Sequence, residues 1–323
     1  MAVIEVQGLR KTYRRLRGGP TRALDGLDLS VAEGGVFGFL GPNGSGKTTT
    51  IRCLLGLVRA SGGSTRLLGA GPSDLRKVLP RVGSMVETPQ FFPNFSGRRN
   101  LALLGRIDGI DAARVDEVLD LVGLSGRAGH GVRTYSLGMK QRLGIGAALL
   151  KRPELLILDE PANGLDPAGI KEVRDLLRHL GSEGHTVFVS SHLLGEVQHM
   201  CDRVAILARG RLVTEGRVTD VLATGRTARV VVRAEPTETA VLVLRGAGMD
   251  AIHDGDRILV STGESAEAAA GVTRALASQG IYVSELRPEE VDLETVFLDL
   301  TGGVAPGDAP AVGPDATVTV PPP

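Results

Sequence analysis

The stretch VFGFLGPNGSGKTTTIRCLLGLV, residues 36–58, decides the fold predicted for this chain of 323 residues. It begins with an apolar run at 36–40 that is typical of a buried β-strand, and it ends with a helical pattern at 49–58. Between them lies the G-x-x-x-x-G-K-T pattern of a phosphate-binding loop, which requires this order of strand, loop and helix. The stretch therefore predicts a nucleotide-binding α/β fold. The predicted phosphate-contacting residues are Gly41, Pro42, Asn43, Gly44, Ser45, Gly46, Lys47, Thr48 and Thr49.

Each part of this loop has its own predicted role. The glycines allow successive backbone N–H groups to point at phosphate oxygens, and the following helix presents its positive end to the same anion. Lys47 is expected to reach the β- and γ-phosphates, and the Thr48 hydroxyl is expected to ligate Mg²⁺. The loop thus predicts a nucleoside triphosphate with Mg²⁺ as the bound species.

A second apolar run, LLILDE at 155–160, ends in two adjacent acids. In a parallel sheet the carboxyl ends of the strands face the ligand crevice. Asp159 is therefore expected to hold Mg²⁺, and Glu160 is expected to polarise the attacking water. Acid pairs in loops are common by themselves, but together with the phosphate loop this pair favours nucleotide hydrolysis.

The segment YSLGMKQR at 135–142 places a serine and a glycine before the helical pattern at 143–150. Ser136 is either a plain helix N-cap or, with Gly138, part of a second anion-binding helix terminus. A protein with two such termini binds two anions or clamps one nucleotide between two copies of itself. The residues alone leave these alternatives open.

Three zones follow one another along the chain. Residues 1–224 alternate short apolar runs with helical patterns, which predicts βα units around a mostly parallel sheet. Residues 225–301 predict a small α+β domain with the ferredoxin-like order βαββαβ, for which either ligand binding or an extended dimer interface remains open. Its strands are predicted at 229–233, 250–253, 257–261 and 281–285, and its helices at 238–244 and 266–279. Residues 302–323 are rich in Pro, Gly and Ala, which predicts a disordered tail.

Composition narrows the functional classes. The chain is 42% hydrophobic and carries 37 basic and 37 acidic residues, values typical of a globular protein without a general affinity for nucleic acid. No apolar run approaches the roughly 20 residues needed to cross a bilayer, and the N-terminus lacks a signal-peptide pattern. A cytoplasmic protein is expected. Cys53 and Cys201 have neither metal-site nor disulfide spacing and are predicted to be plain buried thiols.

In this order and at these spacings, the motifs resemble the ATP-binding subunit of an ATP-binding-cassette (ABC) transporter over about residues 2–222. Residues 135–142 stand at the family's signature motif, and NGLD at 163–166 resembles its dimer-contact loop. His192, which follows the predicted strand at 186–190, resembles the switch histidine that touches the γ-phosphate. Tyr13 stands where the family stacks an aromatic ring on adenine.

The resemblance implies an ABC ATPase domain with a helical subdomain that works as a head-to-tail homodimer. ATP and Mg²⁺ bound by one copy would be covered by Ser136 and Gly138 of the other, with Lys47, Glu160 and His192 as the catalytic residues. The implied partner is an integral-membrane permease on a separate chain. Contact with the membrane would then be indirect, at its cytoplasmic face.

Two departures from the family pattern stand out. The signature usually reads LSGGQ, whereas this chain has YSLGM at 135–139. The family also places a Gln in the loop that senses Mg²⁺, and here Glu87 occupies that position, with Gln90 three residues further on. A carboxylate only accepts hydrogen bonds, but it can ligate Mg²⁺ as a hard oxygen. We therefore expect Glu87 to be a third metal ligand beside Thr48 and Asp159.

Both departures resemble the antibiotic-resistance and immunity branch of the family, with its daunorubicin- and bacitracin-type exporters. The segments FPNFSGRRNL at 92–101 and DLETVFL at 292–298 add to that resemblance, which implies export of an antibiotic, drug or lipid-like substrate. One alternative is a soluble ABC-type ATPase that acts on DNA or ribosomes. Another is a regulatory subunit that binds ATP without turnover.

Overall fold

The computed structural model describes residues 1–14, 19–87, 90–224, 229–261, 266–289 and 292–301. The chain divides into two compact units, one formed by Met1–Val218 with the last described residues Leu300 and Thr301, the other by Thr219–Asp299. The tail at 302–323, for which the sequence predicts disorder, lies outside the described residues.

The first unit is built from strands in two sheets and from helices of very different length. Its strands are β1 (Ala2–Tyr13), β2 (Thr21–Ala32), β3 (Gly35–Leu40), β4 (Gly62–Leu67), β5 (Val82–Met85), β6 (Leu155–Asp159), β7 (Thr186–Ser191), β8 (Arg203–Ala208) and β9 (Arg211–Arg217). Its helices are α1 (Lys47–Leu54), α2 (Leu75–Val78), α3 (Gly97–Ile107), α4 (Ala112–Leu121), α5 (Leu137–Leu149), α6 (Pro167–Ser182) and α7 (Leu194–Val197). Helix α8 (Val218–Thr224) spans the boundary between the units.

The larger sheet confirms the predicted α/β class. Its strand order is β5-β6-β7-β3-β8-β9, in which β9 pairs antiparallel and the other neighbours pair parallel. A smaller antiparallel sheet, of order β2-β1-β4, stands beside it and was not predicted. The strands β1 and β2 alternate buried and exposed residues over part of their length, as half-buried antiparallel strands do.

The main core of the first unit joins both sheets through α1. Leu9 and Leu27 of the small sheet, Ile51 of α1, and Phe39 and Phe188 of the large sheet belong to one buried cluster. The ring centroids of Phe39 and Phe188 lie 5.2 Å apart. Because α1 is packed from both sides, the loop that leads into it starts from a fixed support.

The second unit has the predicted βαββαβ order. It contains β10 (Arg229–Ala234), α9 (Thr237–Gly246), β11 (Asp250–Asp254), β12 (Arg257–Ser261), α10 (Ala266–Ala277) and β13 (Val283–Pro288), followed by α11 (Leu293–Thr301). The antiparallel sheet has the order β11-β12-β10-β13 and its own core, in which Val232 and Leu244 are fully buried. The last strand starts at Val283 rather than at 281, because the N–H of Ile281 still donates to Leu276 O of the preceding helix.

Among the described residues, no helix combines the length and the apolar character that crossing a membrane requires.

Candidate nucleotide-binding site

The predicted phosphate loop, the two acids and His192 follow three neighbouring strands at the same edge of the large sheet. The strands stand in the order β6-β7-β3 and run parallel. Asp159 is paired with Ser190, and Leu40 is paired with Ser191. The acids, His192 and the loop from Gly41 therefore emerge side by side, as the carboxyl ends of parallel strands must.

The phosphate loop depends on glycine at two positions of close approach. A Cβ atom on Gly41 would lie 2.3 Å from Leu207 O, and one on Gly46 would lie 2.8 Å from Ala23 O. Gly46 also has a φ of +113°, a value that side chains disfavour. The loop is thus closely packed against β8 and β2, while its tip at Asn43 and Gly44 is exposed.

Lys47 lies across the inside of this loop. Its ammonium group is almost fully buried and donates to Gly41 O at 2.7 Å and to Pro42 O at 3.2 Å. The same nitrogen lies 3.2 Å from Oε1 of Glu160. A buried cation at the start of a helix, inside a loop of backbone N–H groups, is suited to polyphosphate.

Glu160 connects the loop to His192. One carboxylate oxygen contacts Lys47, and the other lies 2.8 Å from Nδ1 of His192 and accepts from its backbone N–H at 3.3 Å. The backbone of Glu160 has a φ of +49°, which is unusual for a residue with a side chain. The structure thus brings Lys47, Glu160 and His192 into one contact cluster.

Ser190 organises both acids, a role that sequence reasoning missed. Its hydroxyl donates to Asp159 Oδ1 at 2.5 Å and accepts from the backbone N–H of Glu160 at 3.0 Å. The hydroxyl of Thr48 also hydrogen-bonds Asp159. The sequence signal for Ser190 is its position next to Ser191, before the predicted histidine. Serines at strand ends are too common for this position to predict a role.

The two neighbouring acids differ in their ionisation. Burial raises the pKa of Asp159, and the hydrogen bonds from Ser190 and Thr48 only partly offset this. Burial also acts to raise the pKa of Glu160, but His192 and the Lys47 charge outweigh it, so the pKa of Glu160 lies below its ordinary value. Glu160 is therefore the more strongly ionised of the pair at neutral pH.

The residues present fit a phosphate group and a hard cation. The hydroxyl of Ser45 is buried inside the loop and has no hydrogen-bond partner among the described residues. A phosphate oxygen would satisfy it. Thr48 and Asp159 place a hydroxyl and a carboxylate oxygen together, which is the donor chemistry that Mg²⁺ prefers. The described residues include no cluster of three or more His, Cys, Asp or Glu side chains that could hold a metal ion.

The side chain of Glu87 contacts a residue outside this hydroxyl–carboxylate pair. Glu87 follows β5, the neighbour of β6, and its two-thirds exposed side chain forms an ion pair with Arg52 of α1. Sequence reasoning missed this partner, because Arg52 and Glu87 are distant in the chain. The role of Glu87 as a metal ligand stays a prediction.

Tyr13 ends β1, where it is paired with Thr21 of β2. The phosphate loop packs against Ala23 and Leu24 a short distance along the same strand. The Tyr13 ring is partly exposed, with the ammonium of Lys11 4.8 Å from its centroid. An accessible aromatic face thus lies near the loop.

Ser136 and Gly138 lie at the exposed start of α5. Ser136 caps the helix by accepting from Met139 N, which is the plain capping role that sequence reasoning left open. The atoms nearest to a Cβ on Gly138 include Leu165 Cδ2 at 3.8 Å and Gly169 Cα at 3.9 Å. The signature segment and the loop at 163–166 therefore form one surface.

Comparisons with known proteins agree with this geometry. The profile of a family described as ABC transporter matches residues 24–163. The bacitracin transport ATP-binding protein BcrA of Bacillus licheniformis is 38% identical over 93% of this chain and 98% of its own length. The daunorubicin resistance ATP-binding protein DrrA3 of Streptomyces coeruleorubidus is 39% identical over 93% of this chain and 96% of its own length.

A solved structure agrees as well. The cbiO1 protein of Clostridium perfringens, part of the ABC transporter complex cbiONQ, superposes with a TM-score of 0.61 at 27% identity. The match covers 76% of this chain and 97% of that one.

Proposed function

The chain belongs to the ATP-binding proteins of ABC transporters, and from this premise we propose that its ATP hydrolysis drives an exporter whose membrane permease is a separate chain. The chain binds and hydrolyses ATP as a member of that family. The observation that supports the catalytic assignment is the Glu160 carboxylate, which contacts both Lys47 inside the phosphate loop and His192 just after the neighbouring strand β7.

ATP binding is assigned to the loop at 41–49 and to Tyr13. The backbone N–H groups of the loop, Lys47 and the Ser45 hydroxyl hold the phosphates, and the Tyr13 ring stacks on the adenine base. Thr48 and Asp159 hold Mg²⁺, with Glu87 as a further candidate ligand. When bound, the ion neutralises charge on the phosphates.

Hydrolysis is assigned to Glu160 and His192. The lowered pKa of Glu160 keeps its carboxylate ionised at neutral pH, where it can orient a water and accept its proton. His192 fixes that carboxylate from one side and, in this proposal, contacts the γ-phosphate. Lys47 stabilises the charge on the transferred group, and such electrostatic stabilisation supplies most of the rate gain in phosphoryl transfer.

Each site is completed by a second copy of the chain. Ser136 is exposed and Gly138 is half-buried, and Leu165 and Gly169 are neighbours of Gly138. This arrangement supports a head-to-tail homodimer in which the start of α5 of one copy closes over the γ-phosphate bound by the other.

The transport assignment is supported by the relatives. BcrA is named for bacitracin transport and DrrA3 for daunorubicin resistance, and both proteins align along nearly their whole length. We therefore place the chain on the cytoplasmic face of a membrane, bound to a permease that exports an antibiotic, drug or lipid-like compound.

The test is Mg²⁺-dependent ATP hydrolysis as a function of protein concentration, for the wild type and for Glu160→Gln. Specific activity that rises with concentration and is lost in the variant supports a composite dimer site. Normal turnover in Glu160→Gln would overturn the assignment of that residue. ATP binding without turnover, even with permease-containing membranes, would favour a regulatory subunit. Co-purification with ribosomes or DNA instead of membranes would favour the soluble class.

A further inference from the structure

Helices α4 and α5 run antiparallel, and an arginine of each helix contacts the carboxyl-terminal end of the other. Arg114, near the start of α4, donates to Leu149 O at 2.5 Å and to Leu150 O at 3.2 Å at the end of α5. Arg142, in the second turn of α5, donates to Val122 O at 3.1 Å and to Gly123 O at 3.2 Å at the end of α4.

Each guanidinium thus donates to carbonyls at a helix end, where few backbone donors remain, and each adds a positive charge at the negative end of a helix.

The two arginines are enclosed by tight packing. Their side chains are only 11% and 15% exposed. A Cβ on Gly146 would lie 3.1 Å from Val118 Cγ1, and a Cβ on Gly123 would lie 3.0 Å from Arg142 Nη1. The helices therefore pack at a distance that leaves little freedom for a different arginine conformation.

Arg142 also contacts a third helix, whereas the ion pair of Arg114 is with Glu117 on its own helix α4. The Nη2 atom of Arg142 lies 3.2 Å from Oε2 of Glu172 on α6. Helix α6 follows the loop at 163–166, which touches the first turn of α5: a Cβ on Gly164 would lie 3.3 Å from Leu137 Cδ2. Arg142 therefore joins α4, α5 and α6 close to the surface that contains Ser136 and Gly138.

We propose that Arg142 is a positioning residue, which fixes the first turn of α5 against the loop at 163–166 so that both segments meet a second copy of the chain together. This inference rests on the proposed composite site. Arg114 secures only the far end of α5, so its loss affects the stability of the helix pair without moving Ser136.

Arginine is required because its planar fork reaches two carbonyls and a carboxylate at once, whereas lysine offers one compact charge. Arg142→Lys and Arg114→Lys are matched variants, since each removes the same kind of helix-end contact. Glu172→Gln removes the charge at α6 and leaves the carbonyl contacts of Arg142 intact. Its side chain is 56% exposed, so this variant is expected to fold.

The experiment measures ATPase activity against protein concentration for the full chain and these three variants, together with the binding of a fluorescent ATP analogue at low protein concentration. Arg142→Lys is expected to raise the concentration for half-maximal activity about tenfold, equal to about 1.4 kcal/mol. Glu172→Gln is expected to raise it about threefold, less because its charge is partly solvated. Arg114→Lys should stay near the wild type, and analogue affinity should be unchanged in all three.

Arg142→Lys that behaves like the wild type, or a shift of equal size in Arg114→Lys, would overturn the inference. If Arg142→Lys does not fold, Glu172→Gln decides the outcome. If its ATPase activity depends on protein concentration as in the wild type, the inference is overturned; if half-maximal activity needs a higher concentration, the inference is supported. A wild type whose specific activity is independent of concentration would overturn the proposed dimer itself, and the inference with it.

Discussion

Replacing Glu160 with glutamine is expected to tighten ATP binding while it abolishes turnover. Oε1 of Glu160 lies 3.2 Å from the Lys47 ammonium, whose other partners are Gly41 O and Pro42 O. A phosphate that enters the loop must compete with this carboxylate for the same cation. The phosphate must also approach the negative charge of Glu160. The glutamine side chain is neutral, so the variant removes both the competition for Lys47 and this repulsion.

The size of the effect follows from the pair itself. At 3.2 Å and an effective dielectric constant of about 20, the gross attraction between two unit charges is about 5 kcal/mol, which is an upper bound. Glu160 is 20% exposed, and a glutamine oxygen can still accept from Lys47, so the net gain is about 1–2 kcal/mol. We therefore expect ATP to bind roughly tenfold more tightly.

The assay is equilibrium titration with a fluorescent ATP analogue at protein concentrations too low for dimerisation. Glu154→Gln is the matched control, because Glu154 pairs with Arg81 just before β6, whereas Glu160 lies just after the other end of that strand. Unchanged or weaker binding in Glu160→Gln, or equal tightening in the control, would refute the reasoning.

Four further outcomes are expected. Asp159→Asn should abolish ATPase activity yet raise the melting temperature at neutral pH. The folded pKa of Asp159 lies above the ordinary 3.8, so the charge of this carboxylate costs stability at neutral pH. Calorimetry should show that the gain in melting temperature vanishes as the pH falls below 3.8. Glu87→Gln should retain steady-state ATPase activity, because its carboxylate is engaged with Arg52; complete loss would show that the charge is required. Tyr13→Ala should weaken ATP binding by about 1–3 kcal/mol in titrations, whereas Tyr13→Phe should not. Leu244→Ala should destabilise the second unit by about 2–4 kcal/mol in urea unfolding without changing ATP affinity, because that unit has its own core; reduced affinity would contradict this.

What could be predicted from the sequence was local. The strand, loop and helix at 36–58 show their order directly in the chain. Strand β3 starts one residue before its predicted start, whereas α1 starts two residues earlier than predicted and ends at Leu54 rather than at 58. Helix α5 starts at Leu137 rather than at 143 because Ser136 caps it, and weak helix formers such as Gly138 hid that start.

What escaped prediction was pairing between distant residues. The contacts of Glu87 with Arg52 and of Ser190 with Asp159 join segments that meet only in the folded chain. The smaller antiparallel sheet escaped for the same reason, since β4 pairs with β1 from more than fifty residues away. Local patterns indicate which elements form, and side-chain chemistry alone does not specify which of them become neighbours.

The side-by-side exit of β3, β6 and β7 has a consequence for how such a sequence can diverge. Inserting one residue into any of these strands would turn every later side chain in it to the opposite face and separate Glu160 from His192 or from Lys47. Insertions and deletions should therefore accumulate in the surface loops and be removed by selection from these three strands. Constant length, more than amino-acid identity, would then mark β3, β6 and β7 in an evolving lineage.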